Sequence, residues 1–291
     1  MIQTIGDVTV RNVVESETPL LGTTELYPDL KPEQLLNELA WLTPRFRDAA
    51  TDRFIMAIQS FVVRSGGKTI LVDTCVGDCR KRKRAFFTDA NWNWLDRLRA
   101  AGIQPEDVDI VLSTHLHVDH VGWNTQKVDG KWVPTFPNAR YLFAKPEYEY
   151  WLGEQGRLAQ TRMGDYTNDC ILPVIDAGLA DFVEMDHRID AALSLLPTPG
   201  HTPGHVCLDI RSAGQRAIIA GDLLHTVAQC QFPQWSTFAC IDADASRATR
   251  MQFMADVADT DVLLFLAHFP QPSAGYLKRD GAAYWFEFLH S

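Results

Sequence analysis

The sequence predicts an α/β protein in which two βα layers pack face to face. Three observations carry this expectation. Short apolar, β-branched runs alternate with stretches of helical spacing in two successive sets, over residues 54–152 and 193–289. The chain has 291 residues, 46% hydrophobic and 22% charged, which suffices for a large core of ordinary globular composition. The residues able to do chemistry sit where strands end, so they converge on one rim of the layered sheets.

In the first set, residues 54–63 (FIMAIQSFVV) and 69–73 (TILVD) read as strands joined by a Gly66-Gly67 turn. Trp92, Leu95, Leu98 and Ala101 share one face of a helix over 89–101, which Gly102 stops. Residues 108–112 (VDIVL) form a short buried strand that runs into a histidine cluster. Residues 124–139, with a Val-Asp-Gly-Lys turn and two prolines, read as a loop insertion. A strand follows at 140–144, then a helix start over 146–152 with proline in its first turn. Residues 153–180 carry no legible pattern. The second set comprises strands at 193–196, 206–210 and 216–220, an amphipathic helix over 242–258 and a buried strand over 261–267. It closes with a hairpin over 276–289 around Arg279-Asp280-Gly281. Residues 1–53, with a short helical stretch near 33–42, are expected to form an arm or lid on a catalytic domain spanning 54–291.

Charge and composition narrow the function. A net charge of −10 and a pI near 5.3 argue against a nucleic-acid binder, which needs a basic face. The exception is Arg80-Lys81-Arg82-Lys83-Arg84, which reads as a solvated loop or as a patch for an anionic substrate or partner. No apolar run reaches the roughly 18–20 residues that cross a membrane. The first residues lack the pattern of a secretory leader, so the cytoplasm is the expected compartment and the six cysteines are expected to be free thiols. The expected partner is a small-molecule substrate; a homodimer is compatible with the sequence.

The strongest chemical signal is Thr114-His115-Leu116-His117-Val118-Asp119-His120. In extended backbone His115 and His117 project to one side, and Asp119 and His120 follow in the turn. Imidazole and carboxylate are the ligands zinc takes in open catalytic sites. Three further segments end strands in the same way: Pro199-Gly200-His201-Thr202-Pro203-Gly204-His205, Gly221-Asp222 and Ala267-His268. Asp73 ends the strand at 69–72 and reads either as a partner that orients a ligand histidine or as a turn former.

The His-x-His-x-Asp-His run, the later Gly-His loop, the Gly-Asp at a strand end and the final histidine together resemble the metallo-β-lactamase superfamily, over roughly residues 54–289. The resemblance implies an αββα sandwich, two mixed β-sheets flanked by helices, with two divalent metals at the sheet edge. Zinc is the expected ion, with manganese, iron or cobalt as alternatives. It assigns one metal to His115, His117 and His205 and the other to Asp119, His120 and His268, with Asp222 bridging and His201 structural. Residues 91–122, Phe136-Pro137-Asn138-Ala139, Gly221-Asp222-Leu223-Leu224-His225 and Ala267-His268-Phe269-Pro270 are similar to the branch of N-acyl homoserine lactonases and methyl parathion hydrolase. Quorum-quenching lactonases carry tyrosine three residues after the bridging aspartate. His225 stands there in this chain, a departure that leans toward the methyl parathion hydrolase side. By the same resemblance Phe87 and Trp151 lie where pocket aromatics belong.

The implied chemistry is hydrolysis of a small lactone or carboxylic ester by a hydroxide held between the metals, with Asp119 and Asp222 handling its proton. His225 would donate to the oxyanion or leaving group, or line the pocket. The alternatives are a phosphotriesterase and, in another class, a mononuclear iron oxygenase of the persulfide dioxygenase type.

Overall fold

Period-two alternation sorts the strand residues onto two faces, and here both faces are buried. In the computed structural model, which describes residues 1–30 and 40–290, Ile70 and Val72 join one apolar cluster while Leu71 between them joins another. Ile110 and Leu112 against Val111, Ala217 and Ile219 against Ile218, and Leu263 and Phe265 against Leu264 divide the same way. One cluster therefore lies between two sheets, and the other lies beneath the flanking helices.

The first sheet contains β1 (Ile2–Ile5), β2 (Val8–Gly22), β3 (Arg47–Asp48), β4 (Arg53–Ser65), β5 (Lys68–Val72) and β6 (Ile110–Leu112). The hairpin of β7 (Thr125–Val128) and β8 (Lys131–Pro134) stands apart from it, and β9 (Arg140–Ala144) and β10 (Ala180–Val183) complete it. Its order is β1-β2-β4-β5-β6-β9-β10, with β3 also on β4. Pairing is antiparallel from β1 to β5 and parallel from β5 to β10. The second sheet runs in chain order through β11 (Leu193–Pro197), β12 (Val206–Ser212), β13 (Gln215–Ile219), β14 (Leu263–Phe265), β15 (Ala274–Asp280) and β16 (Ala283–Phe288). Helix α1 (Trp94–Ala100) buries Trp94, Leu95 and Leu98. Helices α2 (Lys145–Leu152) and α3 (Glu154–Gln160) follow β9. Helix α4 (Ala243–Val257), capped by Asp242 accepting from the Ala245 amide, buries Phe253, Met254 and Val257. The result is two mixed sheets flanked by helices.

Three expectations need correction, and a fourth falls mostly on residues that the structure does not describe. Residues 2–22 are not an arm: β1 and β2 extend the first sheet, and β2 pairs with β4 from Thr9↔Arg64 to Gly22↔Arg53. Most of the helical stretch expected near 33–42 lies outside the described residues; 40–42 form a single tight turn. The loop expected at 124–139 contains the β7–β8 hairpin, its turn made by Asp129 and Gly130, both with positive φ. The basic run at 80–84 is solvated only in part: Lys81 and Lys83 are exposed, while Arg80 and Arg82 are not. Arg80 and Arg82 are buried and converge on Asp169, which Arg82 grips through both carboxylate oxygens at 2.7 Å. Arg84 pairs with Glu25 at 2.5 Å.

Candidate metal centre

Four loops leave the same edge of the two sheets. β6 runs into residues 113–120, β11 and β12 are joined by 198–205, β13 runs into Gly221-Asp222, and β14 runs into 266–268. Gly221 has φ +51 and sits so close to its neighbours that a Cβ there would lie 2.7 Å from His205 Nε2. The chain can therefore turn sharply and present Asp222 to the other loops.

Two groups of ligand-type atoms result. His115, His117, His201 and Asp222 form one, and Asp119, His120 and His268 form the other. In the first, His201 Nε2 lies 3.2 Å from His115 Nε2 and 2.9 Å from His117 Nδ1. Asp222 Oδ2 lies 3.2 Å from His201 Nε2 and 3.7 Å from His115 Nε2. In the second, Asp222 Oδ1 is 3.1 Å from both His120 Nε2 and His268 Nε2. Asp119 lies 3.7 Å from His268 Nε2 and 4.0 Å from His120 Nε2. Asp222 thus turns one oxygen to each group.

Partners behind the rings fix their orientation. His120 Nδ1 faces Asp73 Oδ2 at 2.9 Å, and His268 Nδ1 faces the Ala57 carbonyl at 2.8 Å. Both partners are acceptors, so each Nδ1 carries a proton and Nε2 is the ring atom that faces Asp222. Asp73 also accepts from the amide and hydroxyl of Thr114, whose Oγ1 lies 3.1 Å from His115 Nδ1. Of the two readings of Asp73, the structure selects the orienting one, while its φ of +57 also makes the turn.

His205 does not join the first group, and His201 stands in its place. Asp222 donates its backbone N–H to His205 Nε2 at 3.0 Å, and His205 Nδ1 is 2.7 Å from Thr198 Oγ1. Both ring nitrogens are therefore consumed inside the protein. His201 keeps Nε2 turned into the cluster, with Nδ1 against Cys240 Sγ at 3.6 Å.

The electrostatics suit a cation. Burial holds His115 and His201 well below the usual histidine range and His205 down at about 3, so these imidazoles are neutral. At His120 and His268 burial acts the same way but is outweighed by Asp222 first, and both sit higher. Burial works to raise Asp222, yet the histidines around it hold it well below the carboxylate range. Asp222 Oδ1 and His120 Nε2 are buried without a hydrogen-bond partner among the described residues. The neutral His115 and His201 turn Nε2 on one another at 3.2 Å, a buried crowding of ligand atoms that a cation between them would relieve. The residues present therefore fit a pair of divalent ions that accept nitrogen and oxygen ligands.

Beside these groups opens a cavity of about 500 Å³ with Asp119, Asp222, His117, His225 and His268 in its lining. Its walls are mostly apolar. They include Phe87 and Trp151, which the sequence suggested, and Phe86, Met163 and Phe238, which it did not. His225 reaches within 3.2 Å of Asp222 Oδ2 through Nε2, and neither of its ring nitrogens has a hydrogen-bond partner among the described residues. Glu147 also escaped the sequence reading, because no motif surrounds it. Its carboxylate accepts from the amides of Leu116 and Gly204 and from Trp151.

Comparison with known proteins bears on the family and the fold. Residues 55–260 match the model of the metallo-beta-lactamase superfamily. Among relatives, an N-acyl homoserine lactonase from a Bacillus species is 27% identical over 175 residues, covering 59% of this chain and 60% of the relative. The N-acyl homoserine lactonase AttM of Rhizobium radiobacter is 26% identical over 197 residues, covering 65% and 69%. The match to the Bacillus relative thus spans about 60% of that protein's length. Among solved structures, the hydrolase AbOPH of the beta-lactamase superfamily superposes with a TM-score of 0.83 at 25% identity, over 100% of this chain and 97% of that one. AidC, a dizinc quorum-quenching lactonase in complex with a product, superposes at 0.81 with 24% identity over the same shares, a likeness of fold. From the matched residues and the histidine–aspartate rim, the chain belongs to the metallo-beta-lactamase superfamily.

Proposed function

We propose that this protein is a dinuclear metal-dependent hydrolase, most simply a zinc enzyme, that opens a small lactone or cleaves a carboxylic ester. His115, His117 and His201 hold one ion, Asp119, His120 and His268 hold the other, and Asp222 bridges them. The observation that carries the reading is the Asp222 carboxylate, buried, with one oxygen in each group. The lactonases among the relatives and the dizinc AidC support the same choice of chemistry.

Two bound divalent ions would polarise the oxygen of the scissile group and make water acidic enough to attack near neutral pH. The chain supplies the rest. Asp119, partly exposed toward the cavity, accepts the proton of the attacking water. His225, whose ring nitrogens have no hydrogen-bond partner among the described residues, donates to the oxygen on which charge develops or to the leaving group. Phe86, Phe87, Trp151, Met163 and Phe238 receive the apolar part of the substrate and exclude bulk water.

A phosphotriester is the second substrate reading, favoured by His225 where quorum-quenching lactonases carry tyrosine and by the aromatic wall. A mononuclear iron oxygenase would need two histidines and one aspartate, whereas two full groups are present. The test is a hydrolysis screen of lactones, aryl esters and organophosphates on zinc-loaded protein, with Asp222→Asn as control. Turnover that disappears in the variant supports the reading. No hydrolysis in any class contradicts it.

A further inference from the structure

Helix α2 carries in its first turn a carboxylate that the chemistry above does not use. Glu147 is 1% exposed. Its three hydrogen bonds reach three parts of the site: Oε1 accepts from the Leu116 amide at 2.8 Å and from Trp151 Nε1 at 2.6 Å, and Oε2 accepts from the Gly204 amide at 2.9 Å. Leu116 lies between His115 and His117. Gly204 belongs to the loop that carries His201. Trp151 rests on His117, with ring centroids 5.2 Å apart, and forms part of the cavity wall. A second observation concerns Gly204, where a Cβ would overlap the backbone and Cβ of Glu147. The loop is pressed onto this helix turn at a spot where a side chain would push it away.

We propose that Glu147 is a positioning residue that holds the two loops of the first metal group at ligating separation and ties them to the cavity wall. Carboxylate bonds to backbone N–H groups are strong and directional, and here one rigid carboxylate spans both loops. Replacing it with glutamine keeps the shape but turns an NH₂ group onto one or more of the three donors, so at least one tie becomes a repulsion. The inference rests on the dinuclear reading.

The experiment loads wild type, Glu147→Gln, Glu147→Asp and Trp151→Phe with Co²⁺ and measures ions per chain, affinity and the visible spectrum of each site. Wild type is expected to bind two ions. Glu147→Gln should bind the ion of the first group on the order of 10–100-fold more weakly, with a changed spectrum, while the second site stays filled. Glu147→Asp, which keeps the charge, should lie between and serves as the readout if the glutamine variant does not fold. Trp151→Phe removes one donor but leaves both loops tied; it should keep both affinities and raise KM. Glutamine and aspartate variants that bind both ions as wild type does, with unchanged spectra and only lower melting temperatures, would overturn the inference. Wild type binding fewer than two ions would instead overturn the dinuclear reading on which it rests.

Discussion

What a histidine can do depends on what its two ring nitrogens already hold. His115, His117 and His120 were legible because their spacing is local and strand geometry projects it directly. His201 and His205 were not separable by motif, since both flank glycine in one loop. A signal was nonetheless present: His205 immediately precedes β12, so alternation puts it on the same face as Cys207. Both touch Thr198 Oγ1, His205 at 2.7 Å and Cys207 at 3.3 Å, beneath the metal groups. His201→Ala should therefore lose one metal ion per chain and most activity. His205→Ala should keep both ions but lose about 1–3 kcal/mol, because the Asp222 amide is left buried and unpaired. Elemental analysis and urea unfolding of the two variants check this, and the reverse pattern would restore the ligand role to His205. His225→Ala should retain both ions while turnover falls roughly 10²–10³-fold, the loss expected for one donor to a developing oxyanion. A rise in KM with turnover unchanged would make His225 a pocket wall, and loss of an ion would make it a ligand.

Among the elements, strands with uninterrupted apolar runs were readable and those that bury polar groups were not. β2 carries Glu15, Glu17 and Pro19, which interrupt its apolar pattern, and its register shifts between Val14 and Ser16 and again between Pro19 and Leu21. The first shift belongs to a packing motif, since Arg97 of α1 donates to the carbonyls of Val14 and Glu15 at 2.8 Å. The Glu15 side chain turns inward and accepts from the amides of Val76 and Gly77 and from Trp123 Nε1. Burial pushes its carboxyl up from 4.5 to about 7, against the pull of those donors. The folded protein then keeps this proton to higher pH than the unfolded chain does. Its contribution to stability is fully present below pH 4.5 and is lost as the pH rises through about 7. Between pH 5.5 and 7 the loss is about 2 kcal/mol. Glu15→Gln should remove that slope and be less stable overall by about 1–3 kcal/mol, since its NH₂ must face a donor. Unfolding of both proteins at pH 5.5 and 7.5 is the check, and equal slopes would show that Glu15 stays ionised in the fold. The basic run at 80–84 misled for a related reason. Two of its arginines are satisfied by Asp169, a partner 87 positions from Arg82 that no local pattern reveals.

For the whole molecule, the two-layer reading followed from strands legible on both faces, and the layering explains the site. Parallel steps between β5, β6 and β9, and between β13 and β14, carry successive strand ends to the same edge, so ligands more than a hundred residues apart meet there. The first 22 residues were assigned outside this core because their polar residues hid an edge of the sheet. If the ions lock four separate loops together, a chelator should lower the melting temperature, and zinc should restore it together with activity. A melting temperature indifferent to chelation would mean that the loops hold themselves. The central claim is that seven side chains form one dinuclear centre bridged by Asp222, and it is tested most directly by elemental analysis of the purified wild-type protein. Two divalent metal ions per chain are expected. One tightly bound iron per chain, with no zinc, manganese or cobalt, would contradict it.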